Sequence, residues 1–136
     1  MKYFLFLSLT LLLTFNTYAH GTIIIEGVKH DKGYIDVKIY TAKENFLKED
    51  LAAEIIRKQA TKGQTLIPLS KVHAGTIAIV VYHDEDSNGE LKTGLFWRPK
   101  EGFAFSNNYT PKGPPRFKKA SIKLIHGEPV VIKLNY

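Results

Sequence analysis

An all-β domain, an antiparallel β-sandwich of six or seven strands, is the fold this sequence predicts, and three observations carry the prediction. Runs rich in β-branched residues, such as TIIIEGV and TIAIVVY, recur at short spacing. Other stretches alternate apolar with polar residues, GYIDVKIY most clearly, and a period of two marks a half-buried strand. Glycine, asparagine, aspartate and proline punctuate the gaps, and no convincing helical periodicity or internal repeat intervenes.

The elements follow in order. Residues 1–19 read as a signal peptide: Lys2 precedes an apolar run over residues 3–15 that is too short to span a bilayer comfortably, and Thr17 and Ala19 supply the small residues of a cleavage site before His20. Residues 20–136 are then one domain, with no transmembrane span after cleavage. GTIIIEGV is the first strand, KHDKG a turn and GYIDVKIY the second strand, so the pair reads as a hairpin. Residues 41–62 are ambiguous. Leu47, Leu51 and Ile55 have helical spacing, but the β-branched Ile55 and Ile56 favour a loop followed by an edge strand near residues 53–60. QTLIPLS is a strand that Pro68 places at an edge or an end. TIAIVVYHD is the most apolar strand and is expected at the centre. Residues 94–118 form a long loop rich in proline, glycine and aromatic rings, with one short strand around residues 103–105. ASIKLIH and PVVIKLNY close the chain as a second hairpin. An immunoglobulin-like or transthyretin-like sandwich accommodates this pattern.

Composition narrows the chemistry. The chain has 136 residues, a formal charge of +6 and no cysteine. Disulfides, thiolate metal sites, lipobox anchoring and cysteine nucleophiles are excluded together. The late excess of lysine and arginine has no dense basic run, so a solvated face is expected rather than a nucleic-acid surface.

The densest motif is HDEDSNGELKTG, His83 to Gly94. Asp84, Asp86 and Asn88 stand at alternate positions before Gly89, a spacing that lets a short loop wrap its oxygens around one hard cation, with Glu90 offering a main-chain carbonyl. Lys92 and Leu95 stand where further acidic ligands would be needed, so the expected ion is calcium, held weakly. A polar turn in which Asp and Asn bond their own backbone is the competing reading. His83 and Glu101 are candidates either to pin this loop or to act as ligands. At the other extreme, cleavage before His20 would expose an N-terminal histidine, whose amine and imidazole can hold copper(II); His30, His73, His83 and His126 are the other nitrogen donors. The rings of Phe96, Trp97, Phe103, Phe105, Tyr109 and Phe117 suit either a stacking platform for sugars, with Trp97 as the contact residue, or a second small core under the loop. No Gly-x-Ser-x-Gly elbow surrounds Ser106, and no nucleophile–base spacing stands out.

Residues 75–120 resemble DUF2141, a family of small exported bacterial proteins. The likeness rests on His83-Asp84, Asp86, Asn88-Gly89, Pro99, Glu101-Gly102-Phe103, Phe105-Ser106-Asn107-Asn108, Gly113-Pro114-Pro115, Phe117 and Ala120. The chain departs from the family pattern at Lys92, where aspartate is common, and at Ala104, where glycine is. The resemblance implies a β-sandwich in the periplasm or outside a bacterial cell, and it implies no activity. The expected function is therefore a non-enzymatic exported binding module with a calcium loop and an envelope or surface glycan or protein partner. The alternatives are a periplasmic copper-binding protein using His20, or a carbohydrate-binding or hydrolytic protein using residues 96–117.

Overall fold

A computed structural model of the chain describes residues 20–89 and 101–136. Residues 1–19, expected to be a signal peptide, and Glu90, Lys92, Leu95, Phe96 and Trp97 lie outside the described residues. The described residues form eight strands, β1 (Thr22–Val28), β2 (Tyr34–Tyr40), β3 (Glu54–Gln59), β4 (Gly63–Pro68), β5 (Gly75–Asp84), β6 (Phe103–Phe105), β7 (Ser121–Leu124) and β8 (Val130–Lys133). One sheet has the order β4-β1-β8. The other runs β3-β2-β5, with β6 and β7 both paired to β5. All pairings are antiparallel except β1 with β8, which is parallel.

Alternation decides what lies between the sheets. Ile35, Val37 and Ile39 of β2 and Ile77, Ile79 and Val81 of β5 face Ile23 and Ile25 of β1, Ile67 of β4 and Ile132 of β8 in one buried cluster. Each fully buried side chain of this size contributes about 1.5–3 kcal/mol of transfer free energy. The other face of β5 is buried too. Ala78 and Val80 pack with Tyr40, Phe105 and Ala120 under Phe46, Phe103, Tyr109 and Phe117. Burial on both faces explains why β5 reads as a continuous apolar run and lies inside its sheet.

Two expectations about organisation change, the strand number and the hairpins. The strand number is eight. Neither predicted hairpin exists: β1 pairs with β4 and β8 while β2 pairs with β3 and β5, and β7 pairs with β5 while β8 pairs with β1. Each short turn instead carries the chain from one sheet to the other, which lets consecutive strands bury their apolar faces against each other. Residues 41–53 form two short 3-10 turns, Lys43–Asn45 and Glu49–Leu51, before β3 takes the edge of its sheet. Just before β7 the chain makes one helical turn, α1 (Phe117–Ala120).

Candidate functional site

The two ends of the sandwich carry the ligand-type side chains. β1 runs from one end to the other, roughly 20 Å at the rise of a strand, with His20 before it and His30 after it.

At the His30 end, β5 finishes on His83 and Asp84, both fully buried. Asp84 is held from three directions. Its Oδ2 accepts from Arg57 Nη2 at 2.6 Å and from the Gly89 amide at 2.8 Å, and its Oδ1 accepts from the Asn88 amide at 3.1 Å. The same guanidinium donates through Nη1 to Asp36 Oδ2 at 2.6 Å and lies over the Tyr34 ring at 4.3 Å. Register explains the meeting. Asp36 on β2 stands opposite Arg57 on β3, and Tyr34 stands opposite Asp84 on β5. Burial opposes ionisation of Asp84, but the Arg57 bond and the loop amides outweigh it and hold its carboxyl below the ordinary range. For Asp36 burial dominates, and its carboxyl is raised despite Arg57.

The loop beyond Asp84 is tight, with Ser87 and Gly89 at positive φ. Asp86 accepts from the Asn88 backbone and side-chain amides, both at 3.3 Å. Glu101 is buried and accepts from the Glu85 amide at 3.3 Å. One carboxylate oxygen each from Asp84, Asp86 and Glu101 lies within 4.8 Å of the others. The loop thus gathers two of the residues predicted from its spacing and brings Glu101 back to join them, while Asn88 turns its amide towards Asp86. Arg57 already occupies part of that cluster's charge, and no sequence motif announces it.

His83 pins the neighbouring turn. Its Nε2 lies 2.6 Å from the Lys32 carbonyl, which can only accept, so Nε2 carries the proton. Its Nδ1 then accepts from the Tyr136 hydroxyl at 2.7 Å, and that oxygen accepts in turn from the Lys29 amide at 3.1 Å. Gly33 completes the junction. A Cβ there would lie 1.9 Å from the Asp84 carbonyl oxygen, and its φ is +72°, so only glycine fits.

At the opposite end, His20, His73 and His126 converge from three separate segments. Their ring centroids are 4.5 Å apart for His20 and His73, 6.1 Å for His73 and His126, and 6.4 Å for His20 and His126. One nitrogen of each lies within 4.8 Å of the others. The Nδ1 of His73 is buried and has no hydrogen-bond partner. The segments are fixed by the fold. Leu69 donates from its amide to the Gly21 carbonyl at 2.9 Å, tying the start of β1 to the end of β4. The turn that carries His126 closes with the Glu128 amide on the Ile125 carbonyl at 3.0 Å. The approach to His73 hangs on Glu54, whose buried carboxylate accepts from the Ser70 amide and hydroxyl and from the amides of Lys71 and Val72, at 2.8–3.0 Å. Burial disfavours the Glu54 carboxylate, but these donors prevail and lower its pKa. Sequence reasoning missed Glu54; a lone acid at the start of a strand carries no signal of the turn it will anchor.

The aromatic segment is engaged in packing wherever it is described. Phe46 meets Tyr40, Phe105 and Phe117 at centroid distances of 5.5–6.3 Å. A depression of about 160 Å³ lies beside Phe105 and Tyr109, with Asn108, Thr110, Lys133 and Asn135 around it, below the ~300 Å³ at which ligand pockets begin. The buried Ser106 hydroxyl is bound within the fold: its Oγ accepts from the Ile79 amide at 2.8 Å and donates to the Ala120 carbonyl. No helix among the described residues is long and apolar enough to cross a membrane.

Compared with known proteins, residues 23–133 match the model of DUF2141, described as an uncharacterized protein conserved in bacteria. No curated protein and no solved structure matches the chain.

Proposed function

The chain belongs to the DUF2141 family, whose description assigns no activity, and from the geometry of its ligand-bearing ends we propose that it is an exported, non-enzymatic module that captures copper(II) through His20, His73 and His126. One observation carries the reading. Three imidazoles from distant parts of the chain meet on a braced frame, with one nitrogen of each within 4.8 Å of the others and His73 Nδ1 buried without a partner. An all-nitrogen donor set favours copper(II) above the other common divalent metals. Removal of the leader before His20 would add the α-amine as a fourth nitrogen. The leader itself and the family resemblance support a periplasmic or extracellular place for the protein, where copper is met. The test is calorimetric titration of the chain beginning at His20, with the copper EPR spectrum read for nitrogen coordination. One equivalent should bind, and His73→Ala should weaken it by more than the ~10–100-fold that outer-shell changes cost. Copper binding left intact by His73→Ala would refute the assignment.

The convergence of Asp84, Asp86 and Glu101 favours a second and weaker reading, calcium at the acidic loop. Arg57 competes there for the same charge, which puts the expected affinity at the weak, extracellular end, about 10⁻⁴–10⁻³ M.

A further inference from the structure

We propose a zinc site of mixed nitrogen and oxygen donors at the His30 end of the sandwich, formed by His30, His83 and Glu85. It is separate from the copper reading, since it shares no residue with it and lies at the far end of β1. Glu85 Oε1 is 3.2 Å from His30 Nε2 and 4.0 Å from His83 Nδ1. Two donors on one tetrahedral zinc, each at 2.0–2.1 Å, stand about 3.3 Å apart. One ligand atom of each of the three lies within 4.8 Å of the others, so modest side-chain movements of His30 and Glu85 would bring the set to that spacing. Two histidines with one glutamate is a set zinc accepts readily.

The second shell fits as well. A metal-bound histidine ordinarily donates its other N–H to a carbonyl or carboxylate, which fixes the tautomer and aims the lone pair. His83 has that arrangement: Nε2–H is bound to the Lys32 carbonyl, and the Nδ1 lone pair faces Glu85 and Tyr136. The Tyr136 hydroxyl now donates to that lone pair. A metal would take its place on that nitrogen. His30 supplies a second indication. Its ring centroid lies 4.8 Å from that of His83, the planes tilted by 51°, and its Nδ1 is buried with no partner. Its Nε2 points at Glu85 Oε1, 3.2 Å away, so the nitrogen offered to a metal is already turned towards the other donors. The side chains of His30 and Glu85 are each about a third exposed, at 37% and 33%, which leaves an entry path.

Zinc there would join the β1–β2 turn to the end of β5, so binding should stabilise that end of the fold. The test uses the chain from His20 carrying His73→Ala, which silences the other histidine cluster, and cobalt(II) as a coloured stand-in for zinc. One equivalent of cobalt should bind with the intense visible bands of four-coordinate geometry, and zinc should displace it. Adding His30→Ala or Glu85→Gln, both partly exposed and compatible with folding, should weaken cobalt binding at least about tenfold. No cobalt uptake by the His73→Ala chain, or uptake that either His30→Ala or Glu85→Gln leaves unchanged, overturns the proposal.

Discussion

The acidic loop after β5 and the histidine cluster before β1 each gather three ligand-type side chains within 4.8 Å, but they differ in what those groups already do. Asp84 is fully buried and three of the fold's own donors point at its oxygens. The histidines are partly open to water, and His73 Nδ1 is buried without a partner. The first cluster is part of the folding interaction, so an ion must displace native bonds to use it. The second is held in place by Gly21, Glu54 and the 125–128 turn, none of which occupies an imidazole nitrogen. A ligand-type residue is available for binding in proportion to the lone pairs the fold leaves unused, and that property does not follow from spacing.

The sharpest way to break this contrast is to cut each cluster and measure stability without metal. Asp84→Ala strands the Arg57 guanidinium and the amides of Asn88 and Gly89. It should cost about 3 kcal/mol in urea unfolding, at the low end for a buried pair because Arg57 is about a third open to water. His73→Ala removes no hydrogen bond and should stay within about 0.5 kcal/mol of the parent. Equal losses would erase the distinction. Glu54→Ala tests the frame instead of the ligands. Four donors lose their acceptor, so a loss of about 2 kcal/mol is expected, together with weaker copper binding at a residue that touches no metal.

How far the sequence discloses this arrangement depends on the range of the physics. Period-two alternation is local, and the residues alone reveal β2, the edge strand at residues 54–59 and the buried β5. Pairing is not local. KHDKG looks like a hairpin turn, yet it packs so closely on the Asp84 carbonyl that Gly33 admits no side chain, and it delivers β2 to the other sheet. The acidic spacing is visible as a motif, but Arg57, which neutralises it, is set by strand register 27 residues away. The His20, His73 and His126 cluster has no spacing at all; only the ends of β1, β4 and β7 bring it together.

Acid should separate the ends more gently. Asp84 and Glu54 have folded-state carboxyls below their ordinary values. The stability they add is present above the unfolded carboxylate pKa of about 4 and is lost as pH falls through the lower folded values. Asp36 has the opposite sign: its raised carboxyl contributes stability below the unfolded value that disappears as pH rises through the folded one. The urea midpoint should therefore fall on acidification below about pH 4, with Asp36 offsetting part of the drop. Asp84→Asn should flatten the profile. A profile unchanged by that substitution would mean that the Arg57 bond does not favour the ionised form.

The smallest effect expected is that of calcium. With a dissociation constant of about 1 mM, 1 mM calcium stabilises the fold by roughly 0.4 kcal/mol, a rise of about 2 °C in Tm. Arg57→Met should enlarge the rise, because the carboxylates lose their internal cation, even as it lowers the starting stability. Asp86→Asn should abolish the rise, since it removes one of the three gathered carboxylates. Asp84 and Asp86 would then be two members of one motif with different employment, the first tied into the sheet and the second turned towards solvent. If calcium fails to raise Tm even in Arg57→Met, the loop is a turn that bonds its own backbone, and the alternate acids after β5 serve the fold alone.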